Sequence, residues 1–103
     1  MFVLAAVLSR PDKQTATIDA GWKALSVDCG AAMPLDKRWS YRATGDEHGT
    51  LTGEGIDSLK VGDRVTLVPS HCDTTLALHE LYYVIENDLL KATWPIETRG
   101  PVQ

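Results

Sequence analysis

The residues His71-Cys72-Asp73-Thr74-Thr75 carry the chemistry most plainly written in this chain, directly after a strand-like stretch at 65–68 and a Pro69-Ser70 break. Where the backbone stays extended, residues two apart project to the same side, so His71 and Asp73 converge while Cys72 points away. An imidazole nitrogen and a carboxylate oxygen on one side make half of a first coordination shell for a divalent metal such as Mn²⁺, Mg²⁺, Co²⁺ or Zn²⁺. Water or substrate would take the remaining positions, an arrangement suited to Lewis-acid action on a substrate hydroxyl. The same residues have a plainer reading. Asp73 can cap a short helix, His71 can hydrogen-bond locally, and Cys72 can serve as a small core residue. Spacing alone leaves both readings open.

The elements that would position this phrase read mainly as strands, short and separated by Gly, Pro, Asp and Asn. Residues 2–8 are a continuous apolar run, Arg10-Pro11-Asp12-Lys13 turns the chain, and 15–18 alternate, which predicts an opening hairpin. After the break at Asp19-Ala20-Gly21, residues 23–27 read as a further short strand and 30–35, with Pro34, as a loop. Residues 41–44 and 50–52 flank a turn over 45–49, and Gly62-Asp63 is a turn leading into a strand over 65–68. Residues 74–80 suit a helical turn capped by Asp73. Residues 82–86 and 89–97 form a hairpin around Asn87-Asp88, residues that tolerate the positive φ of a tight turn. In its second strand Leu90, Ala92, Trp94 and Ile96 alternate with Lys91, Thr93, Pro95 and Glu97, predicting one core face, one wet face and, from the proline, an edge. Six to eight such strands hide their edges best by closing, so the expected architecture is a small antiparallel β-barrel or sandwich with one short helical turn.

Composition bounds the rest. The chain has 103 residues, 44% of them hydrophobic, which suffices for one domain over 1–103 with one core. Fourteen acidic side chains oppose 10 basic ones, for a net charge of −4. No basic run exceeds Lys37-Arg38, so a nucleic-acid partner is not expected. Two cysteines in a chain of this composition point to a reducing compartment, hence the cytoplasm. The apolar start lacks a basic n-region and runs into Ser9-Arg10-Pro11, so it reads as a strand rather than a signal peptide. No run approaches the ~20 apolar residues of a membrane span, and no membrane association is expected.

Several separated phrases occur in order: Asp19-Ala20-Gly21; Lys23-Ala24-Leu25-Ser26 and Asp28; Glu47-His48-Gly49; Val61-Gly62-Asp63-Arg64-Val65; Val68-Pro69-Ser70-His71-Cys72-Asp73-Thr74; and Trp94-Pro95-Ile96 with Arg99-Gly100. Together they resemble the C-terminal domain of the D-threonine aldolase and D-serine dehydratase-like family, over nearly the whole chain. The resemblance implies a β-domain that follows a (β/α)₈ barrel related to alanine racemase, the barrel carrying pyridoxal phosphate on a lysine. It implies His71 and Asp73 as metal ligands; dehydratase-like relatives place Cys at the latter position, so Asp73 leans toward aldolase-like members. Thr74, where Pro often follows, and Trp22, where a small residue is common, depart from the pattern. The implied reaction is retro-aldol cleavage of a D-3-hydroxy amino acid to an amino acid and an aldehyde, or its dehydration, with the metal on the 3-hydroxyl. The cofactor barrel is then the partner, the same chain or a separate one, and these residues alone are inactive. Neither Lys23 nor Lys60 reads as a Schiff-base lysine.

Other polar and aromatic residues carry weaker signals. His48 could line the complete catalytic cleft, although a polar turn explains it more readily. Asp19 and Asp28 fit turn chemistry, and His79 and Glu80 read as solvent-facing. Trp39, Trp94, Tyr82 and Tyr83 read as core or interface packing. The opening strand could expose an apolar face that normally meets the barrel, so homo-oligomerisation of the isolated chain is expected. The competing hypothesis is a stand-alone β-barrel binding or interaction module in which the His-Cys-Asp phrase is structural.

Overall fold

The computed structural model describes residues 1–26, 30–70, 75, 76 and 78–96. Eight strands lie among them: β1 (Val3–Ser9), β2 (Thr15–Ile18), β3 (Met33–Pro34), β4 (Trp39–Ala43), β5 (Gly49–Gly53), β6 (Arg64–Val68), β7 (Leu81–Glu86) and β8 (Leu89–Pro95). The first six form one antiparallel sheet in the order β3-β6-β1-β2-β5-β4. The two end strands, β3 and β4, come together, so the sheet is a nearly closed barrel, as the strand pattern predicted. A 3₁₀ turn at Ile56–Ser58 drops Ile56 into the core. Among the described residues no helix is long and apolar enough to cross a membrane.

Period-two alternation builds the core. Ala5 and Val7 of β1, Ala16 and Ile18 of β2, Tyr41 of β4, Leu51 of β5, and Val65 and Leu67 of β6 all point inward, joined by Ala20, Leu25 and Ala32 from the connections. The opening hairpin is formed as expected, with Val7 opposite Ile18 and a bulge between Val7 and Ser9. Asp12 Oδ1 closes its turn by accepting from Gln14 N and Thr15 Oγ1. Arg10 ties that turn to the rest, donating to Thr15 O at 2.9 Å and to Leu59 O at 2.6 Å. The Gly-Asp turn before β6 also stands: Gly62 adopts φ 94°, and Asp63 Oδ2 accepts from Lys60 N.

Three expectations need correction. Residues 23–26 form no strand; the Gly21 carbonyl accepts from both Ala24 N and Leu25 N, which curls the chain and lets Leu25 bury. Val27, the end of that expected strand, lies outside the described residues. Within the expected loop 30–35, Met33 and Pro34 pair with Val68 and Leu67 as β3, at one end of the strand order, where a proline costs no ladder bond. The β7–β8 hairpin has its turn, with Asn87 and Asp88 at φ 52° and 62°, but among the described residues it pairs only with itself. Its apolar alternation faces no core within the described residues: Leu90 and Trp94 are exposed, Ala92 is half-buried and only Ile96 is buried. The apolar run of β1 is likewise two-faced, with Leu4 and Leu8 exposed opposite Ala5 and Val7.

The turn over 45–49 packs against the Ala20-Gly21 backbone. Trp22 N and Lys23 N donate to Gly45 O and Asp46 O, and Tyr41 Oη donates to Ala20 O at 2.7 Å. A Cβ on Gly21 would overlap Gly45 O, His48 N and Asp46 O, all backbone atoms, whereas one on Gly45 would meet nothing. Gly21→Ala is therefore expected to lower stability by about 3 kcal/mol, at the upper end for overpacking. Gly45→Ala should stay within about 1 kcal/mol of the parent, both read by urea unfolding; equal losses would remove the close-approach argument. Burial also pushes the Tyr41 phenol up to about 12. Its proton stays on in the folded chain after the unfolded chain has lost it, so this contribution is complete below pH 10 and disappears as pH rises toward 12. Unfolding free energies of the parent minus those of Tyr41→Phe should fall across that window and be flat below it.

Candidate functional site

His71, Cys72, Asp73 and Thr74 lie outside the described residues, as do Asp28 and Cys29. The residues flanking 71–74, Ser70 and Thr75, are described, and both are tied to one residue. Ser70 Oγ donates to Ser26 O at 3.3 Å, and Ser26 N donates to Thr75 Oγ1 at 3.2 Å. Thr75 is fully buried, the one buried polar residue among those described. The chain then makes a helical turn, with Leu78 N donating to Thr75 O and His79 N to Leu76 O. His79 Nε2 lies 2.7 Å from Ala24 O. A carbonyl only accepts, so this nitrogen carries the proton.

Residues 19–26 thus run from the 45–49 turn at one end to the two flanks of the phrase at the other. Asp19 is bonded across to β1 and not within a turn: its Oδ1 accepts from Ala6 N at 2.8 Å and its own N donates to Ala6 O. Lys23 is exposed and bonded to Glu47 at 2.7 Å. That bond raises the Lys23 ammonium above its ordinary range and lowers the Glu47 carboxyl below its own. A lysine held protonated in this way is a poor Schiff-base former. His48 is exposed, and its carbonyl accepts from Thr44 N and Gly45 N, a turn role carried by its backbone.

The expectation that His79 faces solvent is corrected: its ring is half-buried and engaged with Ala24 O. Thr75 and His79 are the residues that sequence reasoning missed, because their partners are backbone groups 49 and 55 positions away. Trp39 packs against the core and donates to Glu54 O at 2.9 Å, while Tyr83 and Trp94 are exposed on the hairpin. Among the described residues no three His, Cys, Asp or Glu side chains stand together as a metal shell.

An apolar groove of about 930 Å³ runs between the start of β1 and the β7–β8 hairpin. Phe2, Leu4, Tyr83 and Leu90 line its length, and Thr75 and His79 form part of its wall. The groove therefore begins at the helical turn that follows the His-Cys-Asp phrase.

Comparison with known proteins gives a consistent picture. A 3-hydroxy-D-aspartate aldolase of Paracoccus denitrificans is 37% identical over 102 residues, covering 97% of this chain and 26% of the relative. A D-threonine aldolase of an Arthrobacter species is 36% identical, covering 97% of this chain and 27% of its own. The chain thus spans about a quarter of the length of the curated relatives it matches. Among solved structures, D-threonine aldolase from Filomicrobium marinum superposes with a TM-score of 0.88 at 35% identity, over 95% of this chain and 28% of that one. D-threo-3-hydroxyaspartate dehydratase from a Delftia species superposes with a TM-score of 0.77 at 25% identity, over 96% of this chain and 32% of that one. The family model described as the putative serine dehydratase domain matches residues 1–85. With that match over most of its length, the chain belongs to the putative serine dehydratase domain family, whose relatives include D-threonine and 3-hydroxy-D-aspartate aldolases.

Proposed function

We propose that this chain is the metal-holding β-domain of an aldolase or dehydratase-like enzyme acting on a D-3-hydroxy amino acid, with His71 and Asp73 as its protein ligands. The observation that carries the reading is the pair of ties from Ser70 and Thr75 to Ser26, which fasten the chain on both sides of the His-Cys-Asp phrase. One imidazole and one carboxylate suit Mn²⁺, Mg²⁺, Co²⁺ or Zn²⁺ and leave positions open for water and substrate. When bound, such an ion draws electron density from a substrate hydroxyl and lowers its pKa. The relatives named as aldolases favour carbon–carbon cleavage over dehydration, and so does the carboxylate at position 73.

The other half of the site belongs to a barrel domain that holds pyridoxal phosphate, a cofactor that acts as an electron sink. The apolar groove beside Thr75 is the face we assign to that domain, and the length of the relatives leaves room for it. Within this chain, His71 and Asp73 orient the hydroxyl-bearing end of the substrate. His48, whose ring is exposed on the 45–49 turn, is the further residue of this chain that we assign to the lining of the complete cleft. The isolated domain, lacking the cofactor lysine, is inactive.

Titration calorimetry with Mn²⁺ should show one weak site in the parent chain and none in His71→Ala or Asp73→Ala. Equal binding by all three would remove the metal assignment. If the groove normally lies against another domain, the free chain should self-associate as its concentration rises, and Leu4→Lys with Leu90→Lys should restore a monomer. Size-exclusion chromatography of a compact parent monomer at millimolar concentration would count against this face.

A further inference from the structure

We infer that β7 is an interior strand whose neighbour lies outside this chain: the remainder of the parent enzyme supplies an extended segment, apolar at alternate residues, that pairs with its open edge. The inference rests on the reading that a further domain covers the groove, and names how that domain is held. The bond from Ile96 N to Glu80 O fixes which way the ribbon's backbone groups point. Bonded and non-bonded pairs alternate along an antiparallel ladder. Leu81 stands opposite Pro95, Tyr82 opposite Trp94 and Tyr83 opposite Thr93. The bonded pairs are therefore Glu80 with Ile96 and Tyr82 with Trp94, and the N–H and C=O groups of Leu81 and Tyr83 point away from β8. Among the described residues no strand receives them.

The two edges of the ribbon are built differently. β8 carries the devices that keep an edge from pairing: Lys91 is the extra residue at the irregularity beside Val84 and Ile85, and Pro95 has no N–H to offer on its outer side. β7 carries neither. Leu81-Tyr82-Tyr83-Val84-Ile85 runs without a charge, a proline or a glycine and is apolar on both faces, the pattern of a strand flanked on either side. Leu81, Tyr83 and Ile85 are exposed and line the groove with Phe2 and Leu4, so a strand laid against β7 would set its own apolar residues along that wall. Two strands alone are marginal in water, and a third adds what independent stability requires. Because the chain spans about a quarter of the length of its relatives, the rest of such a polypeptide is the source we assign to the segment. Main-chain bonds to Leu81 and Tyr83 would give it affinity and the groove would select its side chains.

The test compares residue-resolved amide exchange in the dilute 103-residue chain and in the complete enzyme, with nitration of the Tyr83 ring by tetranitromethane as a separate report of whether the groove is covered. In the free chain the Leu81 and Tyr83 amides should exchange openly and the Tyr82 amide more slowly. In the complete enzyme, exchange at Leu81 and Tyr83 should slow by about tenfold or more, and Tyr83 should resist nitration. Tyr83→Pro removes only an outward N–H, so it should leave the melting temperature of the free chain nearly unchanged. In the complete enzyme it should speed exchange at Leu81 about tenfold, whereas Tyr83→Val, which keeps the N–H, should retain the protection. A Tyr83 ring that is shielded while both amides stay open, or equal exchange at Leu81 in Tyr83→Pro and Tyr83→Val, would overturn strand addition and leave the groove as a docking face. Protection that grows with concentration in the free chain and is no greater in the complete enzyme would assign the edge to a second copy and overturn the proposed occupant. A Tyr83 ring as reactive in the complete enzyme as in the free chain would overturn the covered groove and the added strand together.

Discussion

The structure depends first on a place where two stretches of backbone touch with no side chain between them. Gly21 lies against the Gly45 and Asp46 carbonyls and the His48 amide, and Gly49 packs nearby against Ala20 O and the Tyr41 ring. Two amide-to-carbonyl bonds and the buried Tyr41 hydroxyl lock that contact. Everything downstream inherits its position: the curl at 21–25, the burial of Leu25, and Ser26 at the loop's end. Because Ser70 and Thr75 are both tied to Ser26, the only segment that combines an imidazole, a thiol and a carboxyl within three residues starts and finishes on the same anchor.

The barrel and the hairpin present opposite situations. The barrel's inward faces are satisfied by one another, small alanines letting the larger Ile18, Leu51 and Leu67 interdigitate. The β7–β8 ribbon leaves Leu81, Tyr83, Ile85, Leu90 and Trp94 exposed. A two-stranded ribbon is marginal in water by itself. Apolar exposure of this extent, continuous with the outer face of β1, is the character of a surface shaped to be covered. The same surface reaches Thr75 and His79 at the helical turn.

Much of the fold is legible in the sequence because local chemistry decides it. Arg10-Pro11-Asp12-Lys13, Gly62-Asp63 and Asn87-Asp88 are turns for reasons contained within a few residues, and the strands between them alternate as their burial requires. The misreadings fall where distant partners decide. Residues 23–26 have the composition of a strand, yet the Gly21 carbonyl and the pocket for Leu25 curl them. The alternation of Leu90, Ala92, Trp94 and Ile96 is real, but alternation states which face is apolar and never what lies against it. For the site, the ordered phrases identify the family, and His71 and Asp73 stand out by type and spacing. Thr75 and His79 do not, since a threonine and a histidine facing main-chain groups some 50 residues away leave no periodic trace.

The strand order has a kinetic consequence. β1 sits in the middle of the sheet, with β2 on one side and β6 on the other, so Val3 faces Leu67 and Ala5 faces Val65. One side of β1 can zip up as a local hairpin within microseconds, whereas the other must wait for a partner about sixty positions along the polypeptide. Until that late partner arrives, the apolar inner residues of β1 have only half their neighbours. Ring closure, rather than turn formation, should therefore set the pace at which this domain matures, and the half-zipped ribbon is the species most exposed to wrong pairing with other chains.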